Sequence, residues 1–182
     1  MRAIIDYKEI KKIINSLKKF VSYRTANRMI RMEFDKEGQT VKAIATDGYK
    51  LQVKVAPLIA IDESFIAYIR PEIPNVKGAS MAEIVADNKG ASLTVDYITL
   101  YSNAPNGEFL NYQEAYNSIV KNSPVATIAF DPDLLADALK TLKNGKKAPI
   151  TLEIRGKLEP MIIREKGEAY TLVLPMRVRE QT

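Results

Sequence analysis

The sequence predicts an α+β protein of antiparallel sheets with helices on one face, built from repeats of one strand, one helix and three strands. Three observations predict it. Val41 to Val55 carries two period-two runs around Asp47-Gly48, which is the pattern of a β-hairpin with a tight two-residue turn. Ile10, Ile13, Ile14, Leu17 and Val21 recur at helical spacing after Asp6, so one face of that helix is apolar. Sliding this helix by 125 positions sets Ile10 on Leu135, Ile13 on Ala138, Ile14 on Leu139 and Leu17 on Leu142, with Asp6 on Asp131 and Lys18 on Lys143.

Taken in order, Arg2 to Ile5 is a strand candidate. Asp6 and Glu9 stand in the capping-box spacing, so Asp6 can accept from an orphan N–H at the helix start. Arg28 to Phe34 and Val41 to Thr46 form a hairpin turning near Glu37-Gly38, and Tyr49 to Val55 adds a third strand. Ser64 to Arg70 opens a second unit. Pro71 and Pro74 forbid a regular helix after it. Met81 to Ala86, Ala91 to Val95 and Ile98 to Ser102 follow as strands, so this unit lacks its helix. Gly107 to Asn117 is polar and aromatic, a linker with a short helix. Ala126 to Phe130 is the next strand, Asp131 an N-cap, and Pro132 the first helical residue, where its missing N–H costs nothing. Strands over Pro149 to Ile154, Pro160 to Glu165 and Ala169 to Val178, turning at Arg155-Gly156 and Lys166-Gly167, complete a third unit. The predicted organisation is a domain over 1–108, a linker over 109–124 and a half domain over 125–182.

Composition excludes much chemistry. The 182 residues are 46% hydrophobic, enough for one sizeable core or two small ones. There is no cysteine and no histidine, so no disulfide, thiolate or imidazole metal site, Ser-His-Asp triad or Cys nucleophile can form. No apolar run is long enough to span a membrane, and MRAIIDYKEIKK lacks the apolar core of a signal peptide, so a cytoplasmic location is expected. The net charge of +5 suits a polyanion. Lys8, Lys11, Lys12, Lys18 and Lys19 decorate the first helix. Alone they are an ordinary solvated face; with Lys140 and Lys143 on the third-unit helix they make a surface able to follow DNA phosphates without reading bases. Carboxylate pairs such as Asp131/Asp133 and Asp35/Glu37 are explained by helix starts and turns, so no catalysis, cofactor or metal is expected.

Two motifs sharpen this. Ala45-Thr46-Asp47-Gly48-Tyr49-Lys50-Leu51 resembles the Ala-Thr-Asp-Gly-His-Arg-Leu signature of bacterial sliding clamps, the β subunits of the replicative DNA polymerase. Tyr170 to Val178, YTLVLPMRV, resembles the Met-Pro-Met-Arg-Leu tail of the same family. Met29 to Leu51 looks like the start of the family's middle domain, and Phe109-Leu110-Asn111-Tyr112 like its Phe-Pro-Asp-Tyr joining segment. Clamp subunits hold six such repeats; this chain has three, so the resemblance implies a shortened or divergent member.

The resemblance implies a non-enzymatic processivity factor or scaffold. It also implies an apolar pocket for short linear peptides of polymerase or other replication proteins. The matching positions are Met29, Thr46, Gly48, Tyr49, Lys50, Leu51, Leu110, Ala115, Leu172, Leu174, Pro175, Met176 and Arg177. Tyr49 stands where the family has His, Leu110 where it has Pro, and Glu114 where it has Arg. The Asp47-Gly48 turn is expected beside Leu172 to Arg177, with Leu51, Leu174 and Met176 as floor and Lys50 and Arg177 as rim. A homo-oligomer is the implied assembly, since twelve repeats closing a ring would take four chains. The competing reading is a clamp-fold peptide-binding module that does not encircle DNA, such as a competitor of a true clamp.

Overall fold

A computed structural model describes residues 1–21, 28–141, 149–164 and 170–177. The chain divides into two compact units, Met1–Tyr112 and Gln113–Thr182.

The first unit runs β1 (Arg2–Asp6), α1 (Tyr7–Leu17), β2 (Ile30–Asp35), β3 (Thr40–Thr46), β4 (Leu51–Pro57), β5 (Ala60–Ile61), β6 (Phe65–Ile69), β7 (Met81–Ala86), β8 (Gly90–Val95) and β9 (Ile98–Asn103). Two antiparallel sheets form, in the orders β5-β1-β7-β8-β9 and β4-β3-β2-β6. Each is a three-strand meander extended by the first strand of the other repeat, with β5 added beyond β1 in the first. β1 lies against β7, with Ala3 opposite Ile84, and β6 lies against β2, with Ala67 opposite Met32. The two repeats thus exchange strands, and neither sheet is complete without both.

Alternation explains the faces. Val41, Ala43 and Ala45 of β3 are buried with Met32 and Phe34 of β2 and the α1 stripe in one core. α1 starts where Asp6 Oδ1 accepts from the N–H groups of Lys8 (2.8 Å) and Glu9 (3.1 Å). It buries Tyr7, Ile10, Ile13, Ile14 and Leu17, and a single 3-10 turn, Lys18–Phe20, ends it. Residues 70–80 hold no helix. Ile73, Val76 and Ala79 pack on the core there instead. Tyr7 fixes that segment: its hydroxyl donates to Pro74 O (2.8 Å) and accepts from Val76 N (3.1 Å).

The second unit holds α2 (Tyr112–Val120, entering from the last residue of the first unit), α3 (Pro132–Thr141), β10 (Thr151–Glu153), β11 (Met161–Arg164) and β12 (Tyr170–Val173). Its sheet runs β10-β11-β12. Met161, Ile163 and Val173 are buried, with Phe130, Leu135 and Ala138 packed against them. Asp131 Oδ1 caps α3 by accepting from Asp133 N and Leu134 N.

Several sequence expectations need correcting. The β3–β4 connection is four residues, not two: Thr46 pairs with Leu51, and Asp47 N donates to Lys50 O (3.3 Å). A two-residue type I′ turn centred on Asp47-Gly48 needs positive φ at both residues, and of the two only Gly48 has it, at 90°. Residues 126–130 are not a strand; they make one bridge, Ala129 to Met176. The strand expected over Ala169 to Val178 stops at Val173, because Pro175 cannot donate to a ladder. The turn expected at Arg155-Gly156 falls at 157–158. β5 and the length of α2, to Val120, carried no clear signal. The expectations for Leu142, Lys143, the Lys166-Gly167 turn and the residues from Val178 onward lie outside the described residues.

Candidate functional site

The loop after β3 is built by its own side chains. Thr46, almost fully buried, donates through Oγ1 to Lys50 O (3.0 Å) and accepts from Gly48 N (3.1 Å). Asp47 Oδ1 accepts from Tyr49 N and Lys50 N, both at 3.0 Å. These bonds, the Tyr49 amide foremost, hold the Asp47 carboxyl below its ordinary range. The loop so fixed leaves the Tyr49 ring wholly exposed and Leu51 partly exposed.

Alternation then separates the loop's neighbours. Leu51, Val53 and Val55 stand opposite Thr46, Ile44 and Lys42, on the sheet face turned away from α1, and all three are exposed. Gln52 and Lys50 stand on the α1 side. Ser16 Oγ donates to Gln52 Oε1 (2.7 Å), and Lys50 Nζ donates to Lys19 O (2.7 Å) while lying 4.8 Å from the Phe20 ring centre. Extending the β2–β3 register by two residues sets Met29 opposite Thr46. Met29 also lines, with Arg28, Arg70 and Asn103 to Asn106, a cavity of about 420 Å³.

The joining segment is locked onto the same outer face. Phe109 and Tyr112 bury Ile44, with Tyr68 beside them. Tyr112 donates to Glu33 Oε2 (2.7 Å), and Arg31 donates to Glu33 Oε1 (2.8 Å) and to the Tyr68 hydroxyl (3.1 Å). The Arg31 guanidinium lies 5.9 Å from both the Tyr68 and Phe109 ring centres. Burial, aided by the Glu33 carboxylate, pushes the Tyr112 phenol up to about 12. Sequence reasoning missed this cluster. Its signal was Arg31 and Glu33 alternating with the apolar residues of β2. Leu110 and Ala115, on either side of Tyr112, are exposed.

The C-terminal group belongs to the second unit. Val173 points into its core, so Leu172 points outward; Leu174 and Met176 are exposed beyond it, with Arg177 following. Met176 is held by its backbone, whose N–H donates to Ala129 O (2.8 Å). The loop group and the C-terminal group are thus each assembled within a separate unit.

The lysines of α1 face solvent opposite its buried stripe. Lys8, Lys11 and Lys12 line an open recess of about 690 Å³ with Asn15, Gly78 and Ser80. Lys11 Nζ donates to Asn75 Oδ1 (2.7 Å) and lies 5.2 Å from the Tyr7 ring centre, and Lys18 donates to Asn15 Oδ1 (3.1 Å). Lys140 is paired with Asp137 (2.7 Å). Among the described residues no three His, Cys, Asp or Glu side chains gather as metal ligands, and no helix is long and apolar enough to cross a membrane.

No protein-family model and no curated protein sequence matches the chain. Solved structures do. The DNA polymerase III β chain of Streptococcus pneumoniae is similar at TM-score 0.74 and 17% identity, over 97% of this chain and 50% of that one. The DNA polymerase III subunit β of Pseudomonas aeruginosa is similar at TM-score 0.73 and 16% identity, over 96% and 51%. The Helicobacter pylori β clamp, solved with a DNA ligase peptide bound, is similar at TM-score 0.68 and 15% identity, over 95% and 49%. Across about half the length of those subunits, this chain carries the fold of the DNA polymerase III β subunit, the sliding clamp.

Proposed function

We propose that the protein is a sliding-clamp-like, non-enzymatic scaffold of DNA replication. It holds DNA weakly through the α1 lysines, with Lys140 and Lys143 adding to that surface, and docks short peptides of polymerase or other replication proteins. One observation carries the reading: the clamp fold extends over nearly the whole chain and sets the Thr46–Leu51 loop and the joining segment on one sheet face. Met29, Thr46, Gly48, Tyr49, Leu51 and Leu110 are the peptide-contacting candidates of the first unit, and Ala115, Leu172, Leu174, Pro175, Met176 and Arg177 those of the second. Lys50 serves that site by tying its loop to the 3-10 turn. Exposed Leu51, Leu174 and Met176 suit apolar anchors, and methionine adapts to varied partners. The peptide is the kind of ligand that the Helicobacter pylori clamp holds.

The test is titration of a labelled DNA ligase peptide into the full chain. Binding near micromolar strength, about −8 kcal/mol, is expected. Met176→Ala should weaken it by about 1–3 kcal/mol with the fold kept. No binding to either form defeats the proposal. For DNA, binding should be independent of sequence and fall steeply with salt, and Lys11→Glu, Lys12→Glu and Lys18→Glu together should abolish it. An unchanged affinity counts against the basic surface. The helix-free stretch 70–80 favours the second reading, a module that does not encircle DNA, since one element of the basic lining is absent. Retention on closed circular DNA but loss from linear DNA separates the two.

A further inference from the structure

One cavity of the first unit carries charges that the fold does not use. Arg28, Arg70 and Glu72 line the space of about 420 Å³ that Met29 also borders. All three are exposed, and among the described residues none of their side chains takes part in an ion pair or a hydrogen bond. Arg31, nearby on β2, differs: its guanidinium is taken up by Glu33 and the Tyr68 hydroxyl. Two guanidinium groups and one carboxylate leave one positive charge of the cavity unbalanced. The walls are fixed before any ligand arrives. Arg70 N donates to the buried Ser102 Oγ (2.9 Å), and Ala104 N donates to Lys89 O (2.9 Å). Pro71 and Pro105 follow directly, and their rings hold the backbone of both walls.

Register ties this cavity to the Thr46–Leu51 loop. β2 and β6 pair Ile30 with Ile69, so one step further Met29 stands opposite Arg70. Met29 stands opposite Thr46 by the same extension, and Thr46 pairs with Leu51. One row thus crosses the sheet from Leu51 through Thr46 and Met29 to Arg70. Alternation sets the row on the face turned away from α1, since Ile30 and Ile69 are buried in the core while Tyr68 packs with Phe109 on the other side. The α1 lysines belong to the opposite side of that sheet. Three strand spacings of about 4.8 Å separate the ends of the row, about 14 Å, which about four residues of extended peptide span.

We propose that the cavity between Arg28 and Arg70 reads an acidic side chain of the docked peptide, about four positions from the apolar residue seated on Leu51. The inference rests on the peptide-docking reading and adds its specificity. A carboxylate accepts from guanidinium forks at both of its oxygens, and one carboxylate balances the charge left over by Glu72. An amide of the same shape does neither. A peptide is the occupant rather than a nucleic-acid strand because the row leads from the cavity to exposed Leu51 and away from the basic helix.

The test is titration of labelled peptides with capped ends into the full chain. Each carries a pair of leucines; one has Asp at that spacing on both sides of the pair, a second has Asn there, and a third has its Asp residues next to the leucines. The first should bind about tenfold tighter than the other two at low salt, and the advantage should shrink as salt rises. Arg28→Gln with Arg70→Gln, both exposed positions, should bring the first peptide to the affinity of the second. Equal binding of the Asp and Asn peptides overturns the inference and leaves peptide docking standing; binding of none of the three overturns both. An advantage shared by the third peptide, or kept in the double variant, assigns the effect to net charge and overturns the inference. So does a single-stranded oligonucleotide that displaces the first peptide from the unaltered chain and binds the double variant weakly, which assigns the cavity to phosphate.

Discussion

Tyr112 is the residue on which the joining segment depends. Its ring is buried against Ile44, and its hydroxyl donates to Glu33. The folded state holds the phenol proton more tightly than the unfolded chain does, up to about 12 against 10.0. The contribution is therefore complete below pH 10 and is lost as pH rises from 10.0 through about 12, because the unfolded chain releases its proton first. Denaturant midpoints followed across that window should fall, and Tyr112→Phe should flatten the fall while lowering stability at neutral pH by about 1–3 kcal/mol, since Glu33 then loses a donor. An equally steep fall in the variant places the titrating group elsewhere. Asp47 works with the opposite sign: its depressed carboxyl contributes above the ordinary carboxylate range and is lost as acid protonates it.

α1 is the element that joins the two faces of the fold, since its buried stripe builds the core and its lysines make the basic surface. The core side dominates its energetics. Ile10, Ile14 and Leu17 are fully buried, each contributing about 1.5–3 kcal/mol by burial. Ile14→Ala should cost about 2–5 kcal/mol in equilibrium unfolding, the range for a buried large-to-small change. Lys12→Ala on the opposite face should stay within about 0.5 kcal/mol. Equal costs at the two positions contradict this division of the helix. β4 divides differently. Its inner residues meet α1 through Gln52, while Leu51, Val53 and Val55 stand exposed on the other face.

At the scale of the whole molecule, the two units differ in what holds them. Met1–Tyr112 has a continuous core of more than twenty buried apolar residues, whereas the second unit has Met161, Ile163 and Val173 with a few partly buried neighbours. Local opening should therefore be easier in the second unit. Hydrogen exchange at low protein concentration should show β11 and β12 exchanging well before β2, β3 and β8. Uniform protection across both units contradicts that order.

The sequence by itself determined the repeat. Period-two runs, the i, i+3, i+4 stripe of Ile10 to Leu17, and an Asp at the start of α1 and of α3 are local signals, and local signals survive in one dimension. They located the strands of the first unit except β5, the cap at Asp6, and the missing middle helix through Pro71 and Pro74. The Thr46–Leu51 loop was legible as a motif, but its four-residue geometry was not, because side-chain bonds from Thr46 and Asp47 decided it. Only the tertiary structure decided that the first repeats exchange their opening strands, and that among the described residues 126–130 makes a single bridge. A strand is completed by whatever pairs with it, and pairing between residues nearly eighty positions apart leaves no trace in local alternation. The same holds for Tyr112 on Glu33: neither residue announces the other, and only folding brings them within a hydrogen bond.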